Sequence, residues 1–220
     1  DSIRTAQKIT DDAFNHICGY IQPGMTEKEI AGELMDYTYR HGSERPSFDY
    51  IVVSGINSSL PHGVPANKAV ERGDLITMDF GCVVNGYCSD MTRTIAVGKT
   101  NDKQTLIYNT VLKSQLAAIQ SIQPGILCKD VDYAARSVIT DAGYGKCFGH
   151  STGHSVGLEI HERPAFSYLD QTVCKPGMVI TVEPGIYIAG QFGVRIEDMV
   201  LVTENGCKIL TESPKELIIV

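Results

Sequence analysis

The feature that most constrains the fold is an internal repeat. The tetrapeptide Ile-Gln-Pro-Gly occurs at residues 21–24 and again at 122–125. Each copy follows one segment of helical periodicity and precedes another, so the sequence predicts four helices, over about 3–19, 26–41, 102–121 and 128–142. Chance could produce a four-residue match, but the shared context on both sides favours a duplication. We therefore expect two similar halves.

Strand-like runs follow each predicted helix pair, in the segments 49–55, 74–81, 87–98, 154–162, 177–188 and 192–206. The layout is helix-helix-strands, twice, with the halves spanning about 1–100 and 101–220 of one domain, residues 1–220. It predicts an α+β fold in which helices cover one face of a curved, mainly antiparallel sheet. Ligand sites often lie where such halves meet, so we expect a cleft between them.

Composition excludes several classes of function. A chain of 220 residues with 43% hydrophobic residues can bury a full core. The net charge of −7 and the absence of a basic run argue against nucleic acid or an anionic membrane as partner. No apolar stretch approaches the ~18 residues that span a bilayer. Seven scattered cysteines without a CxxC pair favour a reduced, cytoplasmic protein. The chain opens at Asp1, within a helical segment, so we expect a fragment of a longer protein.

The stretch DFGCVVNGYCSDMTRT carries two aspartates in a strand-like context that disfavours them. The dipeptide Asn-Gly at 85–86 predicts a two-residue hairpin turn, because both turn positions need positive φ. In that register Gly81 faces Asp90, and Asp79 lies two residues before Gly81 on the same face of the sheet. The hairpin therefore brings both carboxylates to one spot.

For either aspartate alone, a strand end or an ion pair with Arg93 or Arg72 is the simpler interpretation. When two carboxylates lie on one face, that interpretation is no longer the simpler one, because like charges this close repel unless a cation lies between them. Arg93 is too near Asp90 in sequence to fill that gap readily. The pattern therefore indicates a metal.

The second half supplies further metal-binding side chains, at His150, His154, His161, Glu183 and Glu197. The glycine-containing connection between the two glutamates predicts a second hairpin, whose register the sequence leaves open. One histidine with four carboxylates suits Mn²⁺ first, with Co²⁺, Zn²⁺ or Fe²⁺ as alternatives. Four negative charges balance two divalent cations, which favours a dinuclear site. A lone histidine or glutamate would more simply be a core or strand-end residue, so the prediction depends on the whole set.

Together these segments carry a family resemblance. The matching stretches are LPHGVP (60–65), GDLITMDFG (73–81), GYCSDMTRT (86–94), HSTGHSVGLEIHE (150–162), GMVITVEPGIY (177–187) and GVRIEDMVLVTENG (193–206). The chain resembles, over nearly its whole length, the catalytic domain of the Xaa-Pro dipeptidase and aminopeptidase P group of metallopeptidases. That group belongs to the pita-bread superfamily, with methionine aminopeptidase and creatinase. The resemblance implies the duplicated pita-bread fold.

The resemblance also implies roles for single residues. It implies two divalent ions held by Asp79, Asp90, His154, Glu183 and Glu197. Asp90 and Glu197 would bridge the ions, Asp79 would hold one, and His154 with Glu183 the other. His62 and His161 match histidines that contact the substrate and the developing oxyanion, and His150 and Arg195 match positions that hold the proline end.

The departures from the family pattern are mild. Ser151 and Ser155 stand where glycine is common, and Arg45 stands where a smaller residue is usual. We expect the N-terminal domain that usually precedes this one, and contributes to oligomer contacts, to lie outside these 220 residues. We expect a homodimer only for the full-length protein.

The implied activity is hydrolysis of the bond between an N-terminal residue and proline by a metal-bridging water, with Glu183 as proton shuttle and catalytic residue beside His62 and His161. The expected partner is a small peptide with proline at position two. A methionine aminopeptidase is one alternative, but the Arg-Ile-Glu-Asp run at 195–198 is typical of the Xaa-Pro type. A non-catalytic pita-bread binding module and a metal-free creatinase-like hydrolase are disfavoured, because neither needs all five ligands.

Overall fold

Two helices open each half of the chain. The computed structural model describes all 220 residues and contains the helices α1 (Ser2–Tyr20), α2 (Glu27–Arg40), α3 (Asp102–Ser121) and α4 (Cys128–Asp141). These bounds confirm the four predicted helices. The sequence Thr-Glu-Lys-Glu at 26–29 forms a capping box at the start of α2, where Thr26 accepts from the Glu29 N–H at 3.2 Å and the Glu29 carboxylate accepts from the Thr26 N–H at 2.7 Å. None of the helices combines the length and apolarity that crossing a membrane requires.

Twelve short strands follow the helices: β1 (Ile51–Ser54), β2 (Leu75–Phe80), β3 (Val83–Val84), β4 (Tyr87–Cys88), β5 (Met91–Ala96), β6 (Gly153–Ser155), β7 (Glu162–Phe166), β8 (Val179–Val182), β9 (Gly185–Ile188), β10 (Phe192–Arg195), β11 (Asp198–Thr203) and β12 (Gly206–Ile209). They form a three-stranded sheet, β1-β2-β5, a five-stranded sheet, β12-β11-β8-β6-β7, and the pairs β3-β4 and β9-β10. All these strand pairs are antiparallel. The α+β class is confirmed.

The first hairpin has the predicted register. Asn85 and Gly86 have φ values of 51° and 79°, and the turn pairs residues 84 with 87 and 79 with 92. The ladder is interrupted between β2-β5 and β3-β4, at the level of Gly81. A Cβ on Gly81 would lie 1.9 Å from the Ser89 carbonyl oxygen, so only glycine lets the two chains approach this closely. The single strand predicted over 87–98 is therefore wrong, because the interruption divides it into β4 and β5 and leaves Asp90 outside both.

The second hairpin repeats this design. Residue 182 pairs with 198 and residue 185 with 195, in one register, but the ladder is broken over 183–184 and 196–197. The continuous strands predicted over 177–188 and 192–206 are therefore wrong, because each divides in two. Pro184 has no N–H to donate to a ladder, which accounts for the break on its side. Both glutamates of the predicted site lie in this break.

The strand predicted over 154–162 is also wrong as a single element. Strand β6 ends at Ser155, and β7 begins only at Glu162. The two pair with each other, with a shift of register between His154 and Ser155, so the chain reverses between them. Gly157 lies in the reversal, where a Cβ would be 2.5 Å from the Glu162 carboxylate.

The two halves are joined by a segment that returns from the second to the first. Asp11 of α1 accepts from the backbone N–H groups of Glu212 and Ser213, at 3.0 and 2.8 Å. Further on, Ala96 of β5 donates to Ile218 and accepts from Val220, both at 2.9 Å. The segment 211–220 therefore adds an edge to the first half.

A buried ion pair reinforces this junction. Arg93 of β5 and Asp198 of β11 are 1% and 0% exposed and lie 2.7 Å apart. Arg93 also donates to the backbone carbonyls of Glu197 and Ser213, and Lys215 reaches Asp198 at 2.6 Å. Because every charge in this group has a partner, the group links the halves without leaving an isolated buried charge.

The close approach at Gly81 predicts a specific loss of stability. We expect Gly81→Ala to lower the free energy of unfolding by about 3 kcal/mol, because the added methyl group overlaps the Ser89 carbonyl and forces the hairpin apart. Gly32→Ala is the matched control. It adds the same methyl group within α2 where nothing lies within 4 Å, and it should stabilise by up to about 1 kcal/mol. Urea unfolding measures both, and equal stability of the two variants would contradict the prediction.

Candidate metal centre

The two interrupted hairpins bring four carboxylates into one cleft. Asp79 is on β2, and Asp90 directly precedes β5. Glu183 directly follows β8, and Glu197 directly precedes β11. The cleft between the halves has a volume of about 800 Å³. All nine residues that the sequence predicts for the site line it: His62, Asp79, Asp90, His150, His154, His161, Glu183, Arg195 and Glu197.

The ligand atoms of Asp90, His154 and Glu197 lie within 4.8 Å of one another. The Nε2 atom of His154 is 3.5 Å from an oxygen of Asp90 and 3.4 Å from an oxygen of Glu183. Three carboxylates and an imidazole nitrogen therefore surround a common space. Such a set of oxygen and nitrogen donors suits a borderline divalent ion.

His154 presents its ring in the form that a metal ligand requires. Its Nδ1 lies 3.2 Å from the Ser155 carbonyl, which can only accept, so Nδ1 carries the proton and Nε2 keeps a free lone pair. Burial lowers the pKa of His154, which further favours the neutral ring. A backbone carbonyl behind the imidazole is the usual support of a metal-bound histidine.

Asp79 shares the cleft with a buried arginine. Arg195 donates to Asp79 Oδ2 at 2.6 Å, to the Tyr187 hydroxyl at 2.7 Å and to Thr92 Oγ1 at 3.0 Å. Burial opposes the charge of Arg195, but the neighbouring Tyr187 and Asp79 raise its pKa well above the usual value. Asp79 therefore has one oxygen in an ion pair and the other turned to the cleft.

His150 lies behind this arginine. Its Nδ1 donates to the Ser151 carbonyl at 2.8 Å, so its Nε2 accepts from the Tyr187 hydroxyl, also at 2.8 Å. Burial, with the positive charge of Arg195, lowers the pKa of His150 to about 4. The ring is therefore neutral and fixed in one tautomer by hydrogen bonds on both nitrogens.

The negative charge of the four carboxylates exceeds the positive charge near them. Desolvation raises the pKa values of Asp90 and Glu197 well above the usual range, and the repulsion between neighbouring acids adds to it. Burial likewise raises the pKa of Glu183 to about 7. Only one cation, Arg195, faces the four acids at close range. A divalent cation would remove this imbalance.

Two oxygens fit a cation directly. Asp79 Oδ1 and Glu197 Oε1 are buried and have no hydrogen-bond partner, whereas the second oxygen of Glu197 accepts from Thr92 at 2.6 Å. Native proteins rarely leave buried carboxylate oxygens unpaired, so each such atom needs an explanation. The residues present therefore fit divalent metal ions.

The two outer histidines lie at the opening of the cleft. His62 and His161 are both exposed, and the His161 ring packs edge-on against His154 with 4.5 Å between ring centroids. Partial desolvation by the walls of the cleft lowers the pKa of His161, with the neighbouring His154 as a smaller cause. Both side chains are free to contact a molecule in the cleft. Ser155 is turned elsewhere, because its hydroxyl donates to the Pro164 carbonyl at 2.7 Å.

Tyr187 and Thr92 were not predicted from the sequence, although they connect the predicted site residues to one another. A signal for Tyr187 exists in the second hairpin, where Gly193 faces Tyr187 and Gly185 faces Arg195. Each large side chain is opposite a glycine, which leaves room for both on one face. That pattern becomes readable only once the register is known.

Comparison with known proteins agrees with this geometry. The sequence pattern of metallopeptidase family M24 matches residues 1–204. The chain is 50% identical over 216 residues to a Pyrococcus furiosus protein named Xaa-Pro dipeptidase, covering 98% of this chain and 62% of that protein.

Solved structures give the same result. A Xaa-Pro dipeptidase from Bacillus anthracis superposes with a TM-score of 0.98 at 51% identity, and an X-Pro aminopeptidase from Thermotoga maritima with 0.97 at 43%. Each comparison covers all of this chain and 62% of the other. The pita-bread fold is thus confirmed, and the chain spans 62% of the length of these relatives.

The crowding of acids predicts opposite effects of one substitution with and without metal. In EDTA, Glu197→Gln should raise the free energy of unfolding by about 1–2 kcal/mol, because it removes one of the repelling charges while keeping an acceptor for Thr92. With added Mn²⁺ the wild type should gain thermal stability and the variant should gain much less.

Differential scanning fluorimetry and urea unfolding measure both effects. Glu204→Gln, on the exposed turn before β12, is the control and should behave as the wild type in both conditions. A Glu197→Gln protein that is less stable than the wild type in EDTA would contradict the charge argument.

Proposed function

Because the chain belongs to metallopeptidase family M24, we propose that it hydrolyses the peptide bond between an N-terminal residue and a following proline. The observation that carries the proposal is the convergence of four carboxylates and one imidazole on one cleft, with two buried carboxylate oxygens left unpaired. Relatives named Xaa-Pro dipeptidase and X-Pro aminopeptidase support the choice of substrate. Those relatives are longer than this chain, which spans 62% of their length. We therefore propose, and do not take over from them, the activity of the whole protein.

We assign two divalent ions to the cleft, held by Asp79, Asp90, His154, Glu183 and Glu197, with Mn²⁺ as the first candidate. Arg195 compensates one of the four carboxylate charges, and the three that remain exceed the charge of one divalent ion, which supports the presence of a second. When bound, the ions would supply Lewis acidity that lowers the pKa of water and polarises a carbonyl group.

Glu183 is the group we assign to proton transfer. Hydrolysis adds a hydroxyl group to the carbonyl carbon and a proton to the proline nitrogen, so one residue near both atoms can take the proton from water and deliver it. Glu183 lines the cleft, and its carboxylate lies 3.4 Å from Nε2 of His154, so in this proposal it is next to the ions and to the water that they would activate.

The histidines at the opening of the cleft are suited to the carbonyl oxygen. His62 and His161 can each donate an N–H to the negative charge that develops there. His150 and Arg195 form the wall behind them and, in this proposal, shape the place of the proline ring.

The free state of all seven cysteines supports a reducing compartment such as the cytoplasm.

Replacing the proton-transfer group should separate catalysis from folding. Glu183→Gln should lower kcat at least about 100-fold, because the amide cannot accept the proton from water. The variant should stay folded, because the amide keeps the shape of the side chain, and a cooperative melting transition checks this. Glu204→Gln is the matched control and should keep wild-type kcat. Near-normal turnover by Glu183→Gln would remove Glu183 from this role.

A peptide panel tests the reaction itself. With Mn²⁺ or Co²⁺ the protein should cleave Ala-Pro or Ala-Pro-Ala-Ala, and EDTA should abolish the cleavage. The ratio of dipeptide to tetrapeptide cleavage distinguishes a dipeptidase from an aminopeptidase. Cleavage of Met-Ala-Ser alone would instead indicate a methionine aminopeptidase. Binding of no metal would contradict the proposal and favour a binding module.

A further inference from the structure

Helix α4 carries an acid–arginine pair that lies outside the cleft and contacts the segment 148–152, which leads into the candidate site. Asp132 and Arg136 are four residues apart on this helix and form two parallel hydrogen bonds, each 2.8 Å long. The Asp132 side chain is 1% exposed and that of Arg136 is 25% exposed. A bidentate carboxylate–guanidinium pair has a fixed geometry, whereas a single hydrogen bond leaves the two groups free to rotate.

The pair binds the backbone that leads into the site. Arg136 donates to the carbonyls of Phe148 and His150, at 3.0 and 2.8 Å, and its guanidinium lies 4.1 Å from the centre of the Phe148 ring. Asp132 accepts from both the N–H and the hydroxyl of Thr152, at 3.2 and 2.8 Å. The segment 148–152 is therefore held at three residues by one pair of side chains.

This segment connects directly to the candidate site. Both ring nitrogens of His150 are hydrogen-bonded, Nδ1 to the Ser151 carbonyl and Nε2 to the Tyr187 hydroxyl. The Tyr187 hydroxyl also accepts a hydrogen bond from Arg195. The carbonyl of Thr152 accepts from the Glu183 N–H at 2.7 Å. A displacement of the segment would thus move the His150 ring and the backbone of Glu183 together.

We propose that Asp132 and Arg136 are positioning residues that set the His150 ring and the Glu183 backbone through the segment 148–152. Neither residue lines the cleft, so they act through others. The effect on catalysis rests on the proposed function, whereas the effect on the His150 ring does not. Lysine cannot replace Arg136, because one ammonium group cannot bond both oxygens of Asp132 and two carbonyls at once.

The chain provides a matched control. Asp36 and Arg40 of α2 form an ion pair with the same spacing, but their side chains are 46% and 71% exposed and the pair holds no loop. Arg136→Lys and Arg40→Lys are therefore the same change, each made to the arginine of an acid–arginine pair with i, i+4 spacing on a helix. Only the first should disturb the site.

The experiment has two readouts. ¹⁵N NMR of the histidine rings, with and without diamagnetic Zn²⁺, reports the tautomer of His150. We expect one Nδ1–H tautomer in the wild type and in Arg40→Lys, and a mixture of tautomers in Arg136→Lys. Hydrolysis of Ala-Pro with Mn²⁺ gives kcat/KM, which should fall at least about ten-fold for Arg136→Lys and stay unchanged for Arg40→Lys.

Asp132→Asn is the second variant. It keeps an acceptor for Thr152 but loses the charge that orients Arg136, so the same tautomer mixing is expected. It gives the answer in case Arg136→Lys does not fold.

The outcomes separate the two proposals. A single His150 tautomer and wild-type kcat/KM in both variants would overturn the positioning role, even with a lowered melting temperature. A wild-type protein that cleaves no proline peptide would overturn the proposed function, and the NMR spectra would still decide the role of the pair.

Discussion

The repulsion between four carboxylates, of which Asp90 and Glu197 are buried and Asp79 and Glu183 largely so, is the constraint on which the rest of the structure depends. Bringing Asp79, Asp90, Glu183 and Glu197 out of water, next to one another, costs free energy that a single arginine only partly offsets. A fold that retains such a cluster must hold it rigidly. The surrounding structure supplies that rigidity through strand ladders, buried ion pairs and hydrogen bonds to backbone.

Both hairpins solve the same geometric problem in the same way. A continuous antiparallel ladder would use the backbone of every residue and alternate side chains between its faces. Each hairpin instead keeps one register on both sides of a break, so that residues at the break can turn into the cleft. The first half places one acid in the break and the second half places two. The duplication thus repeats the scaffold, while the ligands differ between the halves.

Local signals made much of the fold predictable. The Asn-Gly turn fixed the first register, and the capping box at Thr26 fixed the start of α2. The break at Pro184 and the reversal after Ser155 were missed, because apolar alternation continues through both. Spacing and resemblance predicted nine residues that all line one cleft, and their individual roles stay predictions. Contacts between distant segments, such as Arg195 with Asp79, could not, because no local pattern encodes which partner a buried arginine meets.

The segment 211–220 has a consequence for how the protein is made. Its backbone bonds to α1 and β5, and Ile218 and Val220 pack against the core of the first half. Contacts between residues about 200 positions apart in sequence are slow to form, because a long loop must close first. On the ribosome, the first half would therefore emerge with an uncovered sheet edge and complete its core only after the second half has been synthesised. Chaperones that shield apolar surface would have their longest access during that interval.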